Sequence, residues 1–431
     1  MTTQMEEARA GRITEEMKVV ARVEGVSEEA IRRRVAKGTV IIPGNVRRRK
    51  GVKVVGVGEG LRTKVNVNVG TSVAYVNVDM EIEKAKVAVK YGTDTLMDLS
   101  TGGDLDAIRR KLMEVASVPF GTVPVYQAFI EAARKKGAGV HMDEDDLFGV
   151  IEKHLRDGVD FMTVHAGITL NIVKKLNKTE RKAGIVSRGG AMLAAWMLHN
   201  EEENPLFSRY DYLLELARDY DATLSLGDAL RPGAIADAHD PLQVAEIVTV
   251  SHLVKRAWDM GVQVMVEGPG HVPLNRVAAD IRFEKAVCRG APYYVLGPLV
   301  TDVATGYDHI ASAIGAAIAA AEGADLICYL TPAEHLSLPD VEDVKQGLIA
   351  ARIAAHAGDI VKLGNKARKW DDDVSEARRK LAWEAIYRLS IDPERARKVR
   401  ERFIKKRSGP CTMCGNLCVY VILDQAVSEG C

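Results

Sequence analysis

The chain has 431 residues, 47% of them hydrophobic, which is enough to bury a large core across two or three domains. Lysine plus arginine and aspartate plus glutamate number 59 each, so no overall basic field draws the chain to nucleic acid or to an anionic membrane, and any anion recognition has to be local. No apolar run of about 18 residues or more occurs and the opening MTTQMEEARAGRITEEM is polar, so a cytoplasmic enzyme-sized protein is expected.

Residues 1–62 predict short helices and a turn-rich basic passage, together a small cap domain. VSEEAIRRRVAKG (26–38) has Ser27 as N-cap, acids in its first turn and a stop at Gly38. The charge run RRRKG (47–51) is expected to be a solvated loop.

From residue 63 the pattern changes to brief apolar runs, each followed by a helix-compatible segment. The runs are KVNVNVGTS, TLMDLSTGG, GTVPVYQ, DFMTVHAG, GIVSRGG, TLSLGDALRPG, VQVMVEGPGH, YYVLGPLVTD and DLICYLTP, nine candidate strands in all. Apolar strands without alternation imply burial on both faces, as in a parallel sheet, and segments such as DLDAIRRKLMEVA supply the crossovers. The expected fold is α/β, a (β/α)8 TIM-type barrel over residues 63–354, with a doubly wound open sheet as the alternative. Barrel chemistry sits at the C-terminal ends of strands, where Asp98, His165, Ser187, Arg188, Asp228, Arg231, Glu267 and His271 fall. Beyond about residue 354 the strands stop, and residues 355–431 read as a charged helical arm, SEARRKLAWEAIYRLS and then DPERARKVRERFIKK.

Five stretches carry chemistry. SRGG (187–190) joins a hydroxyl and a guanidinium to two glycines at the head of a helical segment, which suits a phosphate or carboxylate nest or a simple glycine turn. GDALRPG (227–233) adds an Asp and Arg pair, suggesting one anionic ligand held from two strands. EGPGHVP and TPAEHLSLP place His271 and His335 on adjacent loops, where two imidazoles could hold a divalent metal or act as acid and base. The fifth, CTMCGNLC, puts Cys411, Cys414 and Cys418 within eight residues, with Gly415 at the turn. Three close thiols in a chain without a disulfide pattern ask for a metal and leave one coordination position open. Cys431 could supply a fourth ligand for a structural zinc knot, and Cys288 and Cys328 read as small buried residues.

Across these motifs, from IIPGN through NVNVGTS, LMDLSTGG, IVSRGG, LSLGDALRPG, VMVEGPGHVP and TPAEHLSLPDVEDVKQGL to the final cysteines, the chain resembles the phosphomethylpyrimidine synthase family of noncanonical radical S-adenosylmethionine enzymes. The resemblance implies rearrangement of 5-aminoimidazole ribonucleotide to the phosphorylated hydroxymethylpyrimidine of thiamine. It implies a 4Fe-4S cluster on Cys411, Cys414 and Cys418, with S-adenosylmethionine at the open position, and a second metal, Zn2+ or Fe2+, on His271 and His335. The implied substrate contacts are Asn68, Met97, Tyr126, His165, Ser187, Arg188, Gly189, Asp228, Ala229, Leu230, Arg231, Glu267 and Tyr294, with Glu267, Tyr294 and His165 as the expected catalytic set. An electron donor such as flavodoxin or ferredoxin, and a homodimer with shared active sites, are also implied. The sister activity, 5-hydroxybenzimidazole synthesis from the same ribonucleotide, fits the same motifs. Three residues separate Cys414 and Cys418 where the best-known members have four, and Ala229 stands where the family commonly has Gly.

Overall fold

Eight of the nine apolar runs become short parallel strands, and their pairing closes a ring. The computed structural model describes residues 2–176, 179–403 and 408–429, with backbone alone at 424–425 and 428–429. Cys431 lies outside the described residues. Two two-residue strands, β1 (Val40–Ile41) and β2 (Val57–Gly58), pair antiparallel in the N-terminal region. Then follow β3 (Lys64–Val69), β4 (Thr95–Asp98), β5 (Phe120–Thr122), β6 (Phe161–Val164), β7 (Thr223–Leu226), β8 (Val264–Glu267), β9 (Tyr293–Leu296) and β10 (Leu326–Cys328). β10 pairs back onto β3, so the sheet is a closed parallel barrel of the TIM type.

The ninth run, from Gly184, is not a strand. β6 pairs directly with β7 over four residues, Phe161 with Thr223 through Val164 with Leu226, which leaves no gap in the sheet for it. The segment is instead an extended loop ending on Ser187, whose Oγ accepts the Gly190 amide and caps the helix Arg188–Asn200.

Alternation along the strands sorts their side chains into an interior set and a helix-facing set. In β3, Val65, Val67 and Val69 are buried in the core, while Lys64, Asn66 and Asn68 share the other face. Lys64 Nζ reaches Glu24 Oε1 at 3.0 Å with both side chains buried, which ties the helix Glu15–Glu24 to the floor of the barrel. The helices Gln4–Arg9, Glu15–Glu24 and Glu28–Lys37 enclose a small core of their own around Met17, Val20, Ile31, Val35 and Leu61. The third has Ser27 as N-cap and Gly38 at its C-terminus with φ 84°, as its sequence predicts. A Cβ at Gly38 would stand 2.2 Å from Trp258 Cε2, so the position must be glycine for packing as well as for its dihedral.

The basic run 47–51 is only partly solvated. Arg47 and Lys50 are exposed, but Arg48 pairs with Asp160 and Arg49 with Asp221, carboxylates that lie just before β6 and β7. The pattern repeats before other strands: Arg62 meets Asp94 at 2.6 Å before β4, and Lys285 pairs with Asp325 before β10. Three of these carboxylates also accept backbone amides at a strand entrance, Phe120 N to Asp160 Oδ2 at 2.8 Å, Val65 N to Asp94 Oδ2 at 2.9 Å and Tyr293 N to Asp325 Oδ2 at 3.0 Å, while Asp221 accepts the amide of Gln4. The N-terminal face of the barrel is therefore sewn by buried carboxylates, each matched to a cation.

Residues Met1–Lys362 and Leu363–Cys431 form two compact units. The second contains the helices Asn365–Arg379, Trp383–Leu389 and Pro393–Arg400. The expected continuous helix through SEARRKLAWEAIYRLS is broken at Leu381, whose φ is 51°, and the indole of Trp383 donates to Gly409 O at 2.9 Å. Arg400 lies 4.4 Å over the Trp383 ring and donates to Pro410 O at 3.2 Å, which anchors the chain immediately before Cys411. Among the described residues no helix is long and apolar enough to cross a membrane.

Replacing Arg48 with Met should leave the Asp160 carboxylate buried without its cation and lower unfolding stability by about 3 kcal/mol. The double variant Arg48→Met/Asp160→Asn should recover part of that loss in chemical denaturation.

Candidate active site

Residues at or just beyond the C-terminal ends of the strands converge on one cavity of about 490 Å³, lined by Asn68, Met97, Tyr126, His165, Asp228, Arg231, Glu267, Tyr294 and Cys328 among others. The strand register sets neighbours side by side: Asn68 is level with Met97 across β3 and β4, and Glu267 with Tyr294 across β8 and β9.

Glu267 is fixed by two hydroxyls, Ser225 Oγ at 2.6 Å and Thr163 Oγ1 at 2.7 Å, both donating to Oε1. Burial pushes its carboxyl up to about 7, with the Asp228 charge adding to the shift and the two hydroxyls opposing it. Arg231 Nη1 donates to Asp228 Oδ1 at 3.1 Å. The opposite edges of this pair, Asp228 Oδ2 and Arg231 Nε, are buried and have no hydrogen-bond partner among the described residues. His165 Nε2 meets Ser187 Oγ at 2.9 Å while its Nδ1 is likewise unpartnered. Burial, then the Arg231 charge, holds the His165 imidazolium down to about 3, so the ring is neutral at working pH. Buried polar atoms without partners are rare in native folds, and three around one cavity mark places for the polar atoms of a ligand.

On the opposite wall, Asn66 Nδ2 donates to Asn68 Oδ1 and to Tyr294 Oη, both at 2.7 Å, and Asn68 Nδ2 reaches Cys328 Sγ at 3.0 Å. Burial pushes the Cys328 thiol up to about 11, so it stays a thiol. Tyr126 lies under the guanidinium of Arg188, 5.1 Å from ring centroid to Cζ.

Not every residue expected to contact substrate faces the cavity. Ala229 and Leu230 are fully buried, and their amides donate to Glu246 at 2.8 and 2.7 Å, so they position the Asp228–Arg231 loop. Gly189 is a packing glycine, since a Cβ there would come within 2.3 Å of His165 Cε1. Ser187 is buried behind His165, and Arg188 is exposed at the head of its helix. Glu246, Asn66, Thr163 and Ser225 escaped the sequence reading because their partners lie on other strands. Cys328, read as a small buried residue, lines the cavity. Its place as the last residue of β10 was the available signal.

His271 and His335 do come together, with ring centroids 5.3 Å apart. Two imidazoles on one tetrahedral cation stand with centroids roughly 5 Å apart, given metal–nitrogen bonds of about 2 Å. His271 Nδ1 is 2.7 Å from Asp302 Oδ1, and His335 Nδ1 is 3.7 Å from Asp308 Oδ2, so a carboxylate stands behind each ring. His335 also holds φ at 62°, a strained backbone for a non-glycine residue. Among the described residues no three His, Cys, Asp or Glu side chains converge to hold a metal ion. In the second unit, Cys411 is half-buried, Cys414 exposed and Cys418 buried. The amides of Met413 and Cys414 point at the Cys411 sulfur and hold its thiol below the ordinary range, which favours a thiolate ligand.

Residues 3–425 match the model of the radical SAM ThiC family. The chain is 57% identical to phosphomethylpyrimidine synthase of Ignicoccus hospitalis over 97% of its length and 96% of the relative's, and 57% identical to that of Sulfolobus acidocaldarius, with 96% of each covered. The enzyme of the same name from Pyrobaculum aerophilum is 56% identical over 97% of both chains. Among solved structures, a dihydropteroate synthase from Coxiella burnetii covers 73% of this chain and 99% of its own at 9% identity and a TM-score of 0.41. The chain belongs to the radical SAM ThiC family and is an enzyme of that family.

Proposed function

We propose that this enzyme rearranges 5-aminoimidazole ribonucleotide into the hydroxymethylpyrimidine phosphate of thiamine. The observation that carries the reading is the cavity at the strand ends, whose unpartnered polar atoms on His165, Asp228 and Arg231 suit a small, polar, phosphorylated ligand. In this reading residues 1–62 cap the barrel, residues 63–354 form the catalytic barrel and residues 355–431 carry the cluster.

The helix capped by Ser187, with Arg188 at its first position, would take the ribonucleotide phosphate on its free amides and guanidinium. Asp228 and Arg231 would orient the ribose and imidazole from one side, and Asn68 and Tyr294 from the other. Neutral His165 would accept or donate one hydrogen bond through Nδ1. Glu267, held at one oxygen by Ser225 and Thr163, would accept a proton through its other oxygen, a task suited to a carboxyl poised near neutrality. Cys411, Cys414 and Cys418 would hold the 4Fe-4S cluster, whose chemistry when S-adenosylmethionine is bound is to supply a 5′-deoxyadenosyl radical that takes hydrogen from the ribose. His271 and His335 would hold Zn2+ or Fe2+ through their Nε2 atoms, each ring turned by its carboxylate. A low-potential donor such as flavodoxin or ferredoxin would supply electrons, and a homodimer would bring the cysteine arm of one chain to the barrel of the other.

Anaerobically reconstituted protein should be brown, contain iron and sulfide, and form the pyrimidine phosphate from 5-aminoimidazole ribonucleotide. Cys414→Ala should abolish both colour and turnover. A hydroxybenzimidazole product without pyrimidine would move the chain to the sister activity, and a colourless protein with tightly held zinc at the thiols would overturn the radical reading.

Glu267 also sets a pH dependence. Because burial raises its pKa to about 7, the carboxylate form is lost as pH falls, so kcat/KM should rise with pH through about 7 and then level. Glu267→Gln should remove that limb and slow turnover by about 100-fold or more. Mixing Arg188→Ala with Cys414→Ala chains should restore part of the activity if active sites are shared between subunits.

A further inference from the structure

Behind the central cavity lies a second, narrow one with room for about one water molecule, set in the barrel wall between the ends of β7 and β8 and the helix Pro241–Asp259. Asp228, Arg231, Glu267 and Gly268 line both cavities, so one layer of side chains divides them. The far side of the second cavity is formed by Gln243, Glu246 and Tyr293. Alternation along β9 explains the last of these: Tyr294 lines the interior, and Tyr293 therefore faces outward toward the helices. A Cβ at Gly268 would stand 2.8 Å from Tyr293 Oη, so the absence of a side chain there lets the phenol reach the wall beside Glu267.

From Tyr293 a line of hydrogen bonds leads outward. Its Oη donates to Asp280 Oδ1 at 3.0 Å, and Asp280 Oδ2 meets His239 Nε2 at 2.8 Å and Gln243 Nε2 at 3.1 Å. Asp280 is fully buried, whereas the His239 side chain is 26% exposed. The line thus begins at Tyr293, which lines the wall cavity beside Glu267 and Asp228, and ends at a partly exposed imidazole on the outside of the barrel. Asp228, which lines both cavities, has its Oδ2 buried and without a hydrogen-bond partner among the described residues. Burial pushes Asp228 up, Arg231 opposes this, and the charge of Asp280 adds to it, so the two acids sense each other across the wall.

We propose that Tyr293, Asp280 and His239, bridged to Asp228 and Glu267 by water in the wall cavity, form a proton path between the active site and solvent. This rests on the function proposed above, in which the substrate fills the barrel mouth and leaves Glu267 no direct exit for the proton it takes. The proton passes from Glu267 or Asp228 to the cavity water, and the water gives one of its own to Tyr293 Oη. Tyr293 passes its hydroxyl proton to Asp280 Oδ1, the protonated carboxyl turns so that this proton faces His239 and passes it to Nε2, and the imidazole releases its Nδ1 proton to solvent. Each bond to hydrogen that breaks is matched by one that forms, and no electron moves. Tyr293, Asp280 and His239 act through other groups and touch no substrate.

The test compares wild type, His239→Asn and Tyr293→Phe, each reconstituted and assayed in weak buffer. Asn suits the position because His239 has φ 62°, which Asn tolerates, and it cannot titrate. Expected are a fall in kcat of about tenfold or more with KM unchanged in both variants, and restoration of His239→Asn, not Tyr293→Phe, by added imidazole. A kcat within twofold of wild type in both variants, or a His239→Asn defect that imidazole leaves untouched, overturns the path. Should His239→Asn fail to fold, Tyr293→Phe decides by its kcat and solvent deuterium isotope effect. One readout needs no turnover: in the cluster-free protein the NMR titration midpoint of His239 should shift in Asp228→Asn. An unmoved midpoint overturns the path, whereas an inactive wild type with that shift intact would sink the functional reading alone.

Discussion

A carboxylate taken out of water must find donors or cations at fixed positions, and much of this barrel is arranged around that requirement. At the N-terminal face, Asp94, Asp160, Asp221 and Asp325 lie just before four strands, and Arg62, Arg48, Arg49 and Lys285 are brought to them from distant parts of the chain. Each of these carboxylates has its cation, although Asp160 Oδ1 has no hydrogen-bond partner among the described residues, and the pairs hold the strands in place. At the C-terminal face the same residue types are left incomplete. Asp228 has one oxygen on Arg231 and the other without a hydrogen-bond partner among the described residues, and Glu267 accepts two hydroxyls at a single oxygen. The closed end is built for stability and the open end for a ligand.

The incomplete end is held as firmly as the complete one. Glu246 accepts the amides of Ala229 and Leu230 and so fixes the turn that carries Asp228 and Arg231. Ser187 caps its helix and braces His165, and Gly189 permits the close approach between them. Such support keeps the cavity's polar groups aimed without a ligand present, which is what catalysis by a preorganised site requires.

Much of this was legible in the sequence because strand ends carry chemistry and interior strands read as apolar runs. The nine runs overshot by one, since Ile185 and Val186 look like strand residues but sit beside a sheet already closed by β6 and β7. Contacts made across long sequence separations stayed hidden: nothing near Arg48 announces Asp160, and nothing near His271 announces Asp302. Ala229 and Leu230 stand within a motif of ligand-binding type, yet their side chains face the core, because the amides rather than the side chains carry the motif's purpose. The break at Leu381 had no Pro or Gly to signal it; the turn is fixed by packing around Trp383.

On the function proposed above, the ribonucleotide binds in the cavity at the strand ends, independently of the cysteine arm. Calorimetric titration of 5-aminoimidazole ribonucleotide into the cluster-free protein tests it most directly. The account predicts saturable binding to wild type and to Cys414→Ala alike, weakened about tenfold or more in Asp228→Asn and Arg231→Met. Binding that survives both cavity variants unchanged, or that is lost with Cys414 alone, would contradict it.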